Sequence, residues 1–132
     1  MNFKQLGISN DLVNTLNQMG IKNPTPIQEE AIPLIINKKD IIAQSQTGTG
    51  KTFAFLLPMF ENINPKDNSI QGLIITPTRE LAIQISEAAQ KLNETKNLNI
   101  LAAYGGKDIK SQLNKLKRNI HLVIATPGRL LD

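Results

Sequence analysis

The chemistry of this sequence is concentrated in Ser45-Gln46-Thr47-Gly48-Thr49-Gly50-Lys51-Thr52, which stands between two apolar stretches. Gripping a phosphate needs backbone N–H groups that point inward. Glycines permit this because they reach positive φ and let a ligand approach closely. A helix beginning near Lys51 adds positive potential at its N-terminus. In such a loop a lysine reaches the β- and γ-phosphates, and a serine or threonine hydroxyl ligates Mg²⁺. Lys51 and Thr52 stand at those two positions. The strict pattern asks for glycine where this chain has Ser45, so an ordinary glycine-rich turn competes with the phosphate reading. The expected strand before the loop and helix after it favour phosphate.

A second set of residues recurs. Thr-Pro occurs at Thr25-Pro26, Thr76-Pro77 and Thr126-Pro127. Threonine is a good N-cap and proline suits the first helical position, so all three read as helix starts. The last two directly follow apolar runs that read as strands. With Gly105-Gly106 they offer helix N-termini, bare glycine amides and two arginines, Arg79 and Arg129, a set suited to a run of phosphates. Ion pairing of these arginines with carboxylates such as Glu80 is the equal alternative.

These groups need elements to position them. The pattern predicts a first helix from about Ser9 or Asn10, with Leu12, Leu16 and Met19 on one face and a stop at Gly20. A second helix opens at Thr25-Pro26 with Ile27, Ala31, Leu34 and Ile35 inward, and Pro33 is able to kink it. Strands follow at Asp40-Ile41-Ile42-Ala43, Leu73-Ile74-Ile75, Ile100-Leu101-Ala102-Ala103 and Leu122-Val123-Ile124-Ala125. Between them lie a helix from Lys51, one from Thr78 with Leu81, Ile85, Ala88 and Leu92 inward, and one with Ile109, Leu113 and Leu116 inward. Continuous apolar strands alternating with helices imply a parallel sheet in an α/β fold, with all strand C-terminal ends on one ligand-binding edge. The basic residues Lys107, Lys110, Lys115, Lys117 and Arg118 read as a solvated helix face, and Asn64 to Ser69 as a flexible loop.

The 132 residues include no cysteine and one histidine, which excludes disulfides and cysteine-ligated metals and leaves little for a transition-metal site. No apolar run approaches membrane-span length, and no signal pattern opens the chain. A cytoplasmic protein is the simplest expectation. The formal net charge of +4 fits a polyanionic partner without requiring one.

Taken in order, the motifs resemble those of the first RecA-like domain of DEAD-box ATP-dependent RNA helicases, in superfamily 2. Gly20 through Gln28 resembles the Q motif, with Phe3 as its isolated upstream aromatic, although Ile21 stands where an aromatic is usual. Ser45–Thr52 resembles motif I, in which serine or alanine commonly replaces the first glycine. Pro77-Thr78-Arg79-Glu80-Leu81-Ala82 resembles motif Ia, Gly105-Gly106 the GG element, and Thr126-Pro127-Gly128-Arg129 motif Ib. The resemblance implies a P-loop NTPase domain over residues 1–132, with the Q-motif region at 1–28 and the phosphate loop at 45–52.

It implies ATP with Mg²⁺, held by Phe3, Thr25, Gln28 and residues 45–52, with Thr52 as the metal ligand. Lys51 and Thr52 take the catalytic roles. It implies RNA backbone at Pro77, Thr78, Arg79, Gly105, Gly106, Thr126, Pro127, Gly128 and Arg129. No Asp-Glu-Ala-Asp string, Ser-Ala-Thr motif or second domain occurs in the sequence. The expectation is therefore a C-terminally truncated piece of a helicase, inactive in hydrolysis by itself. Gln28 keeps two readings, as the reader of the adenine edge and as the third helical residue of a Thr25-x-x-Gln28 capping box. A different P-loop enzyme, such as a DNA helicase, and a non-catalytic binding module are the rival readings.

Overall fold

The computed structural model describes residues 1–46, 50–94, 96–104 and 119–130. These fall into two units, Met1–Asn62 and Ile63–Asp132. The expected helix with Ile109, Leu113 and Leu116, its basic face, and the Gly105-Gly106 pair lie outside the described residues, as do Thr47, Gly48 and Thr49.

The first unit holds three helices: α1 (Asn10–Gln18), α2 (Pro26–Ile36) and α3 (Lys51–Asn62). Helix α1 starts after Ser9 and ends where the sequence predicts. Gly20 takes φ +81, and the N–H groups of Gly20 and Ile21 return to the carbonyls of Asn17 and Leu16 at 3.0 and 2.9 Å. Two such closing bonds satisfy the last carbonyls of a helix, and a left-handed residue makes them possible. Helix α2 closes in the same way, but with Lys38 at φ 62 in the glycine position.

Helix α2 packs on α3. Phe3, Leu6, Ile8, Leu12, Leu16, Ile32, Leu56, Leu57 and Phe60 are all buried. Each such side chain contributes about 1.5–3 kcal/mol when withdrawn from water. The inward face of α2 differs from the periodic expectation. Gln28, Ala31 and Ile32 are buried, whereas Leu34 is 45% exposed. Ile27, Ala31 and Ile35 instead line an apolar hollow of about 390 Å³ with Ile41, Ala43, Lys51, Ala54 and Phe55.

The first expected strand is not formed. Residues 40–46 carry no regular structure, and Ile42 is fully exposed. An apolar run becomes a strand only by sharing a hydrogen-bond ladder, and among the described residues this one has no ladder partner.

The second unit contains a parallel sheet of β1 (Gly72–Ile75), β2 (Ile100–Ala103) and β3 (Leu122–Ala125), in the order β1-β3-β2. The other three expected strands are therefore present. Helix α4 (Arg79–Leu92) packs on β2 and β3, and the short helix α5 (Pro127–Leu130) follows β3. Helix α4 buries Ala82, Ile85, Ala89 and Leu92, one position off the expected set at Leu81 and Ala88. The small alanines allow the helix to lie close to the sheet. The central strand β3 is buried at every residue. In β1 the residues alternate, and Leu73 and Ile75 remain about half exposed.

The loop from Asn64 to Ser69 is held by the Gln71 side chain and by its own Asn64 and Asp67. Gln71 accepts the Asn64 N–H at 2.8 Å and donates to the carbonyls of Asn64 and Asp67 at 2.8 and 3.0 Å. The hydroxyl and backbone N–H of Ser69 both donate to Asp67, holding its carboxyl below the usual carboxylate range. At the other turn, Asn93 bonds both backbone groups of Leu98 at 2.7 Å and leads the chain into β2.

Candidate functional site

In the first unit, the sequence from Gly50 to Thr52 makes the turn-to-helix step that phosphate binding needs. Gly50 has φ +86, and α3 begins at the next residue. Lys51 is exposed, and its Nζ donates to the Ser45 carbonyl at 2.5 Å. The ammonium therefore turns back toward Ser45 while the residue stays exposed. Thr52 lies half-buried in the first turn of α3.

Gln28 reaches the same place from α2. Its Oε1 accepts the Thr25 N–H at 2.9 Å, which is one arm of the capping box. Its Nε2 donates to the Gly50 carbonyl at 3.1 Å. The side chain is 3% exposed. A buried amide bonded at both ends is expensive to displace. Thr25 lies in the capping-box arrangement, but its buried Oγ1 has no hydrogen-bond partner among the described residues.

These contacts explain why position 50 is glycine. A Cβ there would collide with Gln28 Nε2 and sit 3.1 Å from Thr25 Oγ1, on a backbone already at positive φ. The tie between Gln28 and the loop is the feature that sequence reasoning missed. Its signal was a buried polar residue facing a glycine, and neither residue shows its partner in one dimension.

Phe3 is 2% exposed and belongs to the core of this unit, its carbonyl accepting from Leu6 and Ile8 at 3.1 Å each. Stacking on a base requires this ring to be uncovered. Ser45 is half-buried and Gln46 exposed. Thr47, Gly48 and Thr49 lie outside the described residues.

The second candidate set lies in the second unit, at the C-terminal ends of neighbouring strands. Ile75 and Ala125 are register partners, so Thr76 and Thr126 follow side by side. Thr76 is 2% exposed and its hydroxyl donates to the Thr78 carbonyl at 2.9 Å. Thr78, not Thr76, caps α4, accepting the Leu81 N–H at 3.2 Å. The Thr-Pro expectation is thus displaced by two residues here, because Thr76 is buried and bonded to the turn. It holds at Thr25-Pro26 and Thr126-Pro127, where α2 and α5 begin on the proline.

Pro77, Thr78 and Arg79 are exposed, as are Pro127 and Gly128, while Thr126 is half-buried. Arg79 and Glu80 are both exposed at the start of α4. An ion pair between such groups is worth about 0–1 kcal/mol. Arg129 belongs to α5, and Gly105 and Gly106 lie outside the described residues. Among the described residues no group of three or more His, Cys, Asp or Glu side chains could hold a metal, and no helix is long and apolar enough to cross a membrane.

A glycine-to-lysine helix start in one unit and a parallel sheet with a helix packed on it in the other are features of the α/β, RecA-like class. The chain belongs to the DEAD/DEAH box helicase family, whose profile matches residues 25–132. It is 52% identical over 130 residues to the ATP-dependent RNA helicase CshA of Listeria monocytogenes, covering 98% of this chain and 25% of the relative. The DEAD-box ATP-dependent RNA helicase CshA of Bacillus subtilis is 49% identical over 130 residues, 98% of this chain and 26% of that protein. The chain thus spans about a quarter of the length of the curated relatives it matches.

Among solved structures, a DEAD box protein from Methanococcus jannaschii superposes with a TM-score of 0.92 at 44% identity, over 100% of this chain and 36% of that one. Dbp5 of S. cerevisiae, bound to RNA and ADP BeF3, gives 0.87 at 36% identity, over 98% of this chain and 33% of Dbp5.

Proposed function

We propose that this chain carries the ATP grip of an ATP-dependent RNA helicase together with one bank of its RNA-backbone contacts. The observation that carries the reading is Lys51, placed at the start of α3 directly after Gly50 and bonded back to the Ser45 carbonyl. A γ-phosphate offers that ammonium a stronger, charge-assisted partner than a carbonyl does. In phosphoryl transfer the protein mostly positions groups and stabilises charge, and Lys51 with residues 45–50 supplies that here.

In this reading Thr52 holds Mg²⁺ together with the phosphates. A single hydroxyl beside phosphate oxygens fits a hard cation that retains several waters. The metal supplies neutralisation of phosphate charge. Gln28 reads the adenine edge with Thr25 in support, which requires its buried amide to be uncovered. Phe3 stacks on the base once uncovered.

Pro77, Thr78, Arg79, Gly105, Gly106, Thr126, Pro127, Gly128 and Arg129 face the sugar–phosphate backbone. Amides, hydroxyls and guanidiniums suit phosphate and carry no base code. Dbp5, which is similar to this chain, is bound to RNA and ADP BeF3, and this supports both ligands. The reading includes a cytoplasmic location. The sequence contains no Asp-Glu-Ala-Asp string, so the chain alone should show no RNA-stimulated phosphate release.

The test is a calorimetric titration with MgATP and MgGTP. The chain should prefer ATP, and Gln28→Ala should narrow the preference. A variant that loses stability yet keeps its preference would assign Gln28 to the cap alone. For RNA, anisotropy of labelled single strands across a salt series should show binding that is insensitive to sequence and weaker at high salt. Arg79→Ala should lower the salt slope by up to about one unit. A strong preference for one base sequence would contradict the backbone reading.

A further inference from the structure

The sheet of the second unit has two edges, and they differ. At the β2 edge Leu101, Ala102 and Ala103 are buried. At the β1 edge Leu73 and Ile75 are half-exposed, and no strand of the described residues pairs beyond them. The inner side of β1 is bonded to β3 and to the residue before it. The N–H groups of Gln71 and Gly72 donate to the His121 carbonyl at 2.8 and 3.1 Å, and that of Thr76 donates to the Ala125 carbonyl at 2.9 Å. His121 is itself held at both ring nitrogens: the Asn99 N–H donates to Nδ1 at 2.9 Å, and the Pro65 carbonyl lies 3.0 Å from Nε2. Backbone direction alternates along a strand. The N–H and C=O groups of Leu73 and Ile75 therefore point away from β3, at the open edge.

Unpaired groups at a sheet edge are a template for another strand. This template is short. On its N-terminal side the Gln71 N–H is already on His121, and on its C-terminal side Pro77 has no N–H. Within it, Leu73 and Ile75 are the residues with both a donor and an acceptor facing outward. In an antiparallel pair, opposite residues of this kind exchange both bonds. Two copies of β1 meet that rule in a register that sets Leu73 of each copy opposite Ile75 of the other, with Ile74 beside the two-fold axis. The half-exposed side chains of each copy then cover those of its partner. No charged residue stands between Asp67 and Arg79, so the register sets no like charges opposite one another.

We propose that the outer edge of β1 is a self-association seam, through which two copies of this chain pair antiparallel about a two-fold axis at Ile74. The contact is isologous and closed, because each copy uses its β1 edge once. A seam of one short strand buries less surface than a stable complex needs, so the pair is reversible and forms as the chain is concentrated. Charge placed at Leu73 or Ile75 opposes it, as charged side chains do on natural sheet edges.

Sedimentation equilibrium of the chain at rising concentration tests the seam. The wild type should pass from monomer to dimer and stop there. Leu73→Lys and Ile75→Glu alter half-exposed residues, and each should weaken the dimer by about tenfold or more, because a lone charge enters the seam. An equal mixture of these two variants sets the new ammonium opposite the new carboxylate and leaves one Leu–Ile pair intact. It should associate about two- to fivefold more tightly than either variant alone. A mixture of Leu73→Lys with Leu73→Glu does not bring its charges opposite each other and should recover less. A monomer at every concentration, a mass that grows past two copies, or equal recovery in the two mixtures overturns the proposal. Hydrogen exchange on the wild type needs no variant: the amides of Leu73 and Ile75 should exchange more slowly as the chain is concentrated. Full protection already present in dilute solution would mean that the chain covers this edge itself, and also overturns the proposal.

Discussion

Two apolar runs of this chain look alike in sequence and differ in structure. Asp40-Ile41-Ile42-Ala43 precedes the phosphate loop, and Leu122-Val123-Ile124-Ala125 precedes Thr126-Pro127. The second is the central strand, with β1 on one side, β2 on the other and α4 packed against it. The first is irregular, with Ile42 wholly exposed. Apolar composition therefore states only that a segment can be a strand. Ladder partners on both sides and cover on the faces make it one. After the first run, the described contacts are those of single side chains, Gln28 to Gly50 and Lys51 to Ser45.

The largest effect should separate the two runs directly. Ile124→Ala removes methyl groups from a fully buried site and should cost about 2–5 kcal/mol in urea unfolding. Ile42→Ala changes an exposed residue and should stay within about 0.5 kcal/mol. Comparable losses would mean that residues 40–43 share a core.

Gly50→Ala sharpens the contrast at the loop. The new methyl meets the Gln28 amide on a backbone at φ +86. Backbone strain of this kind is worth about 1–3 kcal/mol. Thermal unfolding should register that loss, and the combined Gly50→Ala, Gln28→Ala variant should recover part of it. No recovery would show that the two residues are not coupled. The smallest effect lies at the end of α2, where Lys38→Gly should stabilise by about 0.5–1 kcal/mol, because glycine accepts φ 62 without strain. A loss of stability there would mean that the lysine side chain compensates for its backbone.

Much of this architecture was legible in sequence because it is locally encoded. The extent of α1 with its stop at Gly20, the start of α2 at Thr25-Pro26, the helix start at Lys51 and three of the four strands follow from threonine, proline, glycine and apolar runs. What escaped depends on partners distant in sequence. The inward face of α4 runs through Ala82 and Ala89, while a reading weighted by side-chain size favours Leu81. Both registers share Ile85 and Leu92, and only the distance to the sheet decides between them. Similarly, Ile32 and not Leu34 is buried on α2, since α2 meets α3 on one face and borders an open hollow on another. Gln28 could be read as cap or ligand, but its bond to Gly50, 22 residues away, needed the fold. His121 carried no local sign of its two ring partners, one of them 56 residues away.

Nucleotide binding by this chain turns on Lys51 facing phosphate. A calorimetric titration of MgATP into the wild-type chain and into Lys51→Ala tests that most directly. A hydrogen bond to a charged group is worth about 1.5–3 kcal/mol, so the variant should bind roughly ten- to hundred-fold more weakly. Equal affinities in the two proteins, with both folded, would contradict the assignment of residues 45–52 as the nucleotide loop.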